Sequence, residues 1–366
     1  MGVRKPVDAP PESDRFLPAP HPRDTFAFFG HQKAEAELLD AYRAGRLPQA
    51  WILGGPQGIG KATLAWRMAR FLAAHPDPSA PAVQQAKNLA VDSNHPAARK
   101  ISALSFGDIA LLRREWQEKT KKHATRISVD DVRRAIHIFE QAAGEGGWRM
   151  ALIDSADDFN ASSANALLKL IEEPPPRCLF LIVAHQPGRI LPTIKSRCRR
   201  LMLQGLAPDE LAAAARAALE AAEDKVDEAD FLRARAKAEG SVREVLRLLS
   251  NADADFDALV ERTLSQLPEV DWRNVHRIAD QVVGRERETE YDAFLQAVFA
   301  WLAAALRRQE AGGPRALAPY AMAWENLERE ARDLEIFNLD KRAFTLIVFS
   351  QLGEAESAAR AALNPM

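Results

Sequence analysis

Between Ala50 and Leu72 an apolar run, a glycine-rich heptad and a helical repeat follow one another without a gap, an order that few folds accommodate. Ala50-Trp51-Ile52-Leu53 reads as a short strand. Gly55-Pro56-Gln57-Gly58-Ile59-Gly60-Lys61 then matches the first seven positions of the phosphate-loop pattern GxxxxGK. Behind it, Leu64, Met68, Phe71 and Leu72 recur at helical spacing. Glycines at 55, 58 and 60 let successive backbone N–H groups turn toward phosphate oxygens, and the helix adds the positive end of its dipole. Lys61 would reach the outer phosphates. The bland alternative is a solvated lysine after an ordinary strand-to-helix turn, and the flanking strand and helix favour the phosphate loop.

Two departures remove catalytic parts. The eighth position of such a loop is Ser or Thr, whose hydroxyl holds magnesium. Ala62 stands there and has no oxygen to offer. Thr63 follows, but one residue along a helix turns a side chain by about 100°, away from the metal. Trp148 to Asp154 (WRMALID) reads as a later strand, and Asp154 at its end could hold magnesium through water. In hydrolysing relatives of such sites a glutamate comes next and orients the attacking water. Ser155 stands there instead, and Asp157 and Asp158 lie at least three positions from Asp154. The pattern reads as a nucleotide site without its hydrolytic groups.

From Phe26 to about Leu203, helical patterns alternate with short apolar runs, the signature of a parallel α/β sheet. Ser128 with Asp131 forms a capping box before a helix lined by Val132, Ile136 and Phe139. Asn160 caps another, with Ala164, Leu167, Leu168 and Ile171 on one face, stopped by Pro174-Pro175-Pro176. Cys178 to Ala184 (CLFLIVA) is continuously apolar, as a strand covered on both faces should be. Residues 206–250 are Ala-rich and helical, ending with Val242, Val245, Leu246 and Leu249 on one side. Residues 255–366 look all-helical, with Leu295, Val298, Phe299, Leu302 and Leu306 on one face and a break at Ala311-Gly312-Gly313-Pro314. The stretch 74–127 mixes proline, alanine and scattered charge and carries no readable chemistry. The opening segment holds six of the 22 prolines and no apolar stretch, so residues 1–24 read as a flexible tail.

Composition narrows the class further. Of 366 residues 47% are hydrophobic and 27% charged, and the net charge of −2 advertises neither a nucleic-acid-binding field nor a disordered acidic chain. The two cysteines, Cys178 and Cys198, exclude a disulfide scaffold and a four-cysteine zinc site. No run approaches the roughly 18 apolar residues of a membrane helix. A cytoplasmic protein without membrane contact is expected.

The residues most specific to one family lie along the core. They are Phe29-Gly30-His31, GPQGIGKAT at 55–63 and ISVDDVRR at 127–134. Ala164-Asn165-Ala166-Leu167-Leu168-Lys169 follows, then Glu172-Glu173-Pro174-Pro175 and Ser196-Arg197-Cys198. With these the chain resembles the clamp-loader AAA+ family of bacterial DNA polymerase III, most specifically its delta-prime branch. The resemblance covers roughly residues 26–250, and the later helices match by length and class only.

After the tail at 1–24, that resemblance implies an AAA+ P-loop core at 25–205, a helical lid at 206–252 and an all-helical collar at 253–366. It implies a hetero-pentamer with gamma/tau and delta subunits that opens a sliding clamp and sets it on primed DNA in replication. Arg197 matches the arginine finger that reaches a neighbour's ATP site; as a plain residue it would be one solvated charge in the run Lys195, Arg197, Arg199, Arg200. Arg243 in Gly240-Ser241-Val242-Arg243 matches the sensor-2 arginine, with Arg247 one turn on sharing its face. At Ala184-His185 active motors commonly carry Thr or Asn, a further departure. Many relatives carry a four-cysteine zinc module, but residues 72–127 hold no cysteine, so no zinc and no metal site are expected. ATP or ADP would bind weakly at most, through Gly55, Gly58, Gly60, Lys61, Thr63, Asp154 and Arg243, and no cofactor is required. The expected role is a non-hydrolysing, stator-like subunit of the polymerase complex. The alternatives are an active gamma/tau-type ATPase, which Ala62 and Ser155 oppose, and an independent DNA-binding AAA+ protein. The basic run alone is a weak signal for DNA.

Overall fold

The computed structural model describes residues 10–140, 147–250, 254–283, 288–309, 313–337 and 339–363. Two compact units divide after Leu249. The first opens with a 3₁₀ turn (Pro22–Asp24), α1 (Gln32–Arg43), β1 (Ala50–Gly54) and α2 (Lys61–Ala74). Short helices α3 (Pro81–Gln84) and α4 (Pro96–Ser102) lead to β2 (Ile109–Leu112) and a small hairpin, β3 (Trp116–Gln117) with β4 (Lys122–His123). Next come α5 (Val129–Glu140), β5 (Arg149–Ile153), α6 (Ala161–Glu172), β6 (Cys178–Ala184), α7 (Pro192–Lys195) and β7 (Arg199–Met202). Helices α8 (Pro208–Ala221), α9 (Glu228–Lys237) and α10 (Val242–Leu249) complete the unit.

The sheet order is β2-β5-β6-β1-β7, every pairing parallel. Strand side chains alternate between faces, so each strand feeds two cores. Trp51, Leu53, Leu179, Leu181 and Val183 pack with α1 and α2, while Ala50, Ile52, Cys178, Phe180 and Ile182 pack with α5 and α6. The wholly apolar sequence of β6 follows from this, since all seven of its residues are buried. Both expected caps form. Ser128 Oγ donates to Asp131 Oδ2 at 2.7 Å, and the Ser163 amide donates to Asn160 Oδ1 at 2.8 Å.

Two readings of the sequence change. The stretch 74–127 supplies β2, an edge strand of the main sheet, besides α3, α4 and the hairpin. Residues 10–24 are not a flexible tail: His21 and Asp14 are buried, and Arg23 Nη1 donates to Glu12 Oε1 at 2.6 Å. Burial there is by ion pairs, which hydrophobic patterning does not register. Residues 1–9 lie outside the described residues.

Helices α8, α9 and α10 share a small core of Leu211, Ala215, Leu219, Phe231, Val245 and Leu246, against which Phe16 and Ala19 pack. The second unit consists of α11 (Ala254–Ser265), α12 (Trp272–Val282), α13 (Glu288–Arg308), α14 (Gly313–Phe337) and α15 (Lys341–Leu363). Its core includes Val275, Phe294, Val298, Leu302, Tyr320 and Phe349, with Leu295, Phe299 and Leu306 partly buried beside it. The anticipated break holds at its far side, where α14 starts at Gly313; residues 310–312 lie outside the described residues. Within this core the Tyr320 hydroxyl donates to Glu356 Oε2 at 2.7 Å. No described helix is long and apolar enough to cross a membrane.

Candidate nucleotide site and surface arginine

The loop between β1 and α2 has the backbone a phosphate cradle needs. Gly55, Gly58 and Gly60 take φ of 141°, 76° and 101°, values that a side chain disfavours. His31 Nε2 donates to the Ile59 carbonyl at 2.8 Å and ties the loop to the start of α1. Lys61 opens α2 and is buried, and its ammonium donates to the Gly55 carbonyl at 2.7 Å and to that of Pro56. Burial pulls its pKa down to about 8, against the opposing pull of Asp154 and Asp157. Thr63 lies two residues further along the same helix.

Asp154 directly follows β5. Burial, then the neighbouring Asp14 carboxylate, pushes its pKa up to about 7, with Lys61 acting the other way. Ala62 contributes no donor, so the residues present do not fit a magnesium ion held as in a hydrolytic P-loop. Among the described residues no group of three or more His, Cys, Asp and Glu is placed to hold any metal.

His185 follows β6, and its Nε2 lies 3.9 Å from Asp154 Oδ1. Burial, then the Lys61 charge, pull its pKa down to about 3, so the ring is neutral. The fold thus brings this histidine beside Asp154. Asp157, which carried no assignment, accepts from the backbone amides of His185 at 2.6 Å and Gln186 at 2.8 Å. Its carboxylate is therefore committed to the β6 exit loop. Asp158 Oδ2 lies 3.4 Å from Arg114 Nε.

Helix α10 closes on the loop from the other side. The Ser241 hydroxyl donates to the Gln57 carbonyl at 2.9 Å, and the Val242 amide donates to the Gly58 carbonyl at 2.9 Å. The Arg243 backbone thereby lies against the loop while its guanidinium sits 4.8 Å from the Phe16 ring centroid, and Arg247 pairs with Glu244 Oε1 at 2.8 Å. A Cβ added at Gly58 would overlap Arg243 Cβ and Ser241 Oγ. Gly58→Ala is therefore expected to lower stability by about 1–2 kcal/mol, from the left-handed backbone alone, and to speed exchange of the Val242 amide. Unchanged exchange would show that the loop does not hold α10.

Arg197 stands one residue beyond the C-cap of α7. Its Nη1 donates to the Thr193 carbonyl at 3.0 Å, its Nη2 lies 2.8 Å from Glu172 Oε1, and the side chain is 41% exposed. The Glu172 of EEPP and the arginine of SRC, 25 positions apart, thus meet in space, a pairing no local sequence signal announces. The rest of the basic run is divided. Lys195 Nζ donates to the Gly188 carbonyl at 2.7 Å, and Arg199 Nη2 pairs with Glu37 at 2.9 Å.

A parallel sheet in this order, a glycine loop at the end of β1, an aspartate at the end of β5 and a helical lid define a P-loop protein of the AAA+ class. The profile of the family described as "DNA polymerase III, delta subunit" matches residues 30–207. Over those residues the chain is similar to the clamp-loader subunits of DNA polymerase III. It is 38% identical over 149 residues to subunit delta' of Pseudomonas aeruginosa, 41% of each protein. It is 28% identical over 238 residues to subunit tau of Escherichia coli, 64% of this chain and 34% of that one. The matched stretch spans less than half the length of these curated relatives. Among solved structures, a gamma subunit-related protein of Thermotoga maritima is similar with a TM-score of 0.40 and 13% identity, over 87% of this chain and 99% of that one.

Proposed function

We propose that the chain is a non-hydrolysing subunit of a DNA polymerase III clamp loader and that it presents Arg197 to the ATP site of a neighbouring subunit. The observation that carries this reading is the state of its own site. The glycine cradle and Lys61 are retained, yet Ala62 and Ser155 stand where a hydrolytic P-loop carries its magnesium-binding hydroxyl and its water-orienting carboxylate. Such a chain serves catalysis best by what it gives to a partner.

An exposed guanidinium is the group suited to that task. It stabilises charge that builds on a transferring phosphoryl group, and it needs no change in its own protonation. The partners on this reading are gamma/tau and delta subunits in a pentamer, with the all-helical second unit as the oligomerising part. Sliding clamp and primed DNA are engaged through the assembly in the cytoplasm. Zinc and other cofactors are not required.

A gamma/tau-type ATPase is the competing reading, favoured by the longer stretch over which the tau relative matches. ATP turnover by the isolated full chain decides between them. The expected rate is background with and without magnesium. A rate above background that disappears in Lys61→Ala would overturn the non-hydrolysing role.

A further inference from the structure

The segment before α1 makes contacts at three places around the phosphate loop: beside the end of β2, on α10 and on α2. Asp14 is wholly buried: its Oδ1 lies 2.5 Å from Arg113 Nη1 and its Oδ2 lies 3.1 Å from His21 Nε2. Glu12 Oε1 takes the same Arg113 at 2.9 Å. Arg113 is the first residue after β2, and β2 pairs with β5, which ends one residue before Asp154. The Asp154 amide donates to the Leu112 carbonyl at 2.9 Å, so Asp14 is pinned at the ends of these two strands. Of the charges around Asp154, that of Asp14 acts on it most strongly.

Two residues on, Phe16 packs into the core of α8–α10, and the Arg243 guanidinium sits 4.8 Å from its ring centroid. The segment then returns to α2. His21 meets Trp66 edge-on at 6.1 Å, and the carbonyls of Arg23 and Thr25 accept from Arg70 at 2.6 and 2.8 Å. The strand end with Asp154, the lid arginine and the helix behind the phosphate loop are all engaged by one stretch of chain.

We propose that residues 12–16 are an internal strap that closes the degenerate nucleotide site, so that nucleotide and strap compete for it. The competition has a chemical basis at both ends. A phosphate arriving beside Asp154 meets the like charge of Asp14, and Arg243, the cation suited to receive phosphate, is held against the face of Phe16. When a site must first open, its apparent affinity falls in proportion to the open fraction. Releasing either end of the strap therefore raises affinity without any new contact to the nucleotide. The inference rests on reading the loop as a nucleotide site, but it does not require that the chain be a non-hydrolysing subunit.

The test is a titration of the full chain with a fluorescent ADP analogue, comparing wild type with Asp14→Asn, Phe16→Ala and Phe16→Leu. The leucine keeps most of the packing and loses the aromatic face. Binding tighter by about tenfold or more is expected in the variants that fold. Equal affinity, including equal failure to bind, overturns the strap. Hydrogen exchange of the wild type with the analogue bound is the second readout. Amides of residues 13–17 should lose protection, and unchanged protection overturns it. Lys61-dependent turnover together with strap-dependent affinity would sink the non-hydrolysing role and leave the strap standing.

Discussion

Arg197→Ala is expected to slow the clamp- and DNA-stimulated ATP turnover of a reconstituted assembly by about a thousandfold or more, the effect typical of a lost arginine finger. The assembly itself should persist with unchanged size. The local geometry explains why function and stability separate at this residue. Its ion pair with Glu172 joins two side chains that are each more than two-fifths exposed, and such pairs contribute about 1 kcal/mol or less. The guanidinium can therefore leave Glu172 for a phosphoryl group at small cost, and its removal barely alters the fold. Arg197→Lys should recover only part of the rate, because a point charge cannot repeat the planar fork. Turnover unchanged in Arg197→Ala, with the complex intact by size, would remove the trans role.

The parts of this molecule that were legible in its sequence are those written by hydrophobic period and by turn chemistry. Strand β6 shows as seven apolar residues because both of its faces are covered, and α6 shows through Asn160 and the three prolines behind it. What stayed hidden was held by charge across distance. Arg113 and Asp14 are 99 positions apart, and no window on the sequence joins them. Strand β2 has four residues and lies between charged segments, too short for period to declare it. The proline-rich opening reads as tail because proline and charge usually mean solvent, yet here ion pairs and Phe16 hold it down. At the candidate site the Gly-rich loop and Lys61 lie together at the end of β1, and α10 approaches the loop at Gly58. Asp157, His185 and the Glu172–Arg197 pair needed the fold to bring them together.

Asp154→Asn is expected to stabilise the isolated chain, and to do so more at pH 8 than at pH 5. An aspartate has a pKa near 3.8 in the unfolded chain, whereas burial and Asp14 raise that of Asp154 to about 7. Between those values the folded chain carries a proton that the unfolded chain has lost. Unfolding releases it, so wild-type stability falls as pH climbs from about 4 to about 7 and this contribution is then level. Asparagine has no proton to lose there, and the decline vanishes. Between pH 5 and pH 8 the gap should widen by about 3 kcal/mol of a full effect on the order of 4 kcal/mol, trimmed by the lost attraction to Lys61, which itself titrates near 8. Urea unfolding of both proteins at the two pH values measures it. A variant less stable at both pH values, or a gap that does not widen with pH, would show that Asp154 is ionised and well satisfied in the fold. A widening gap would mean that the fold keeps a buried aspartate at this strand end at a cost in stability.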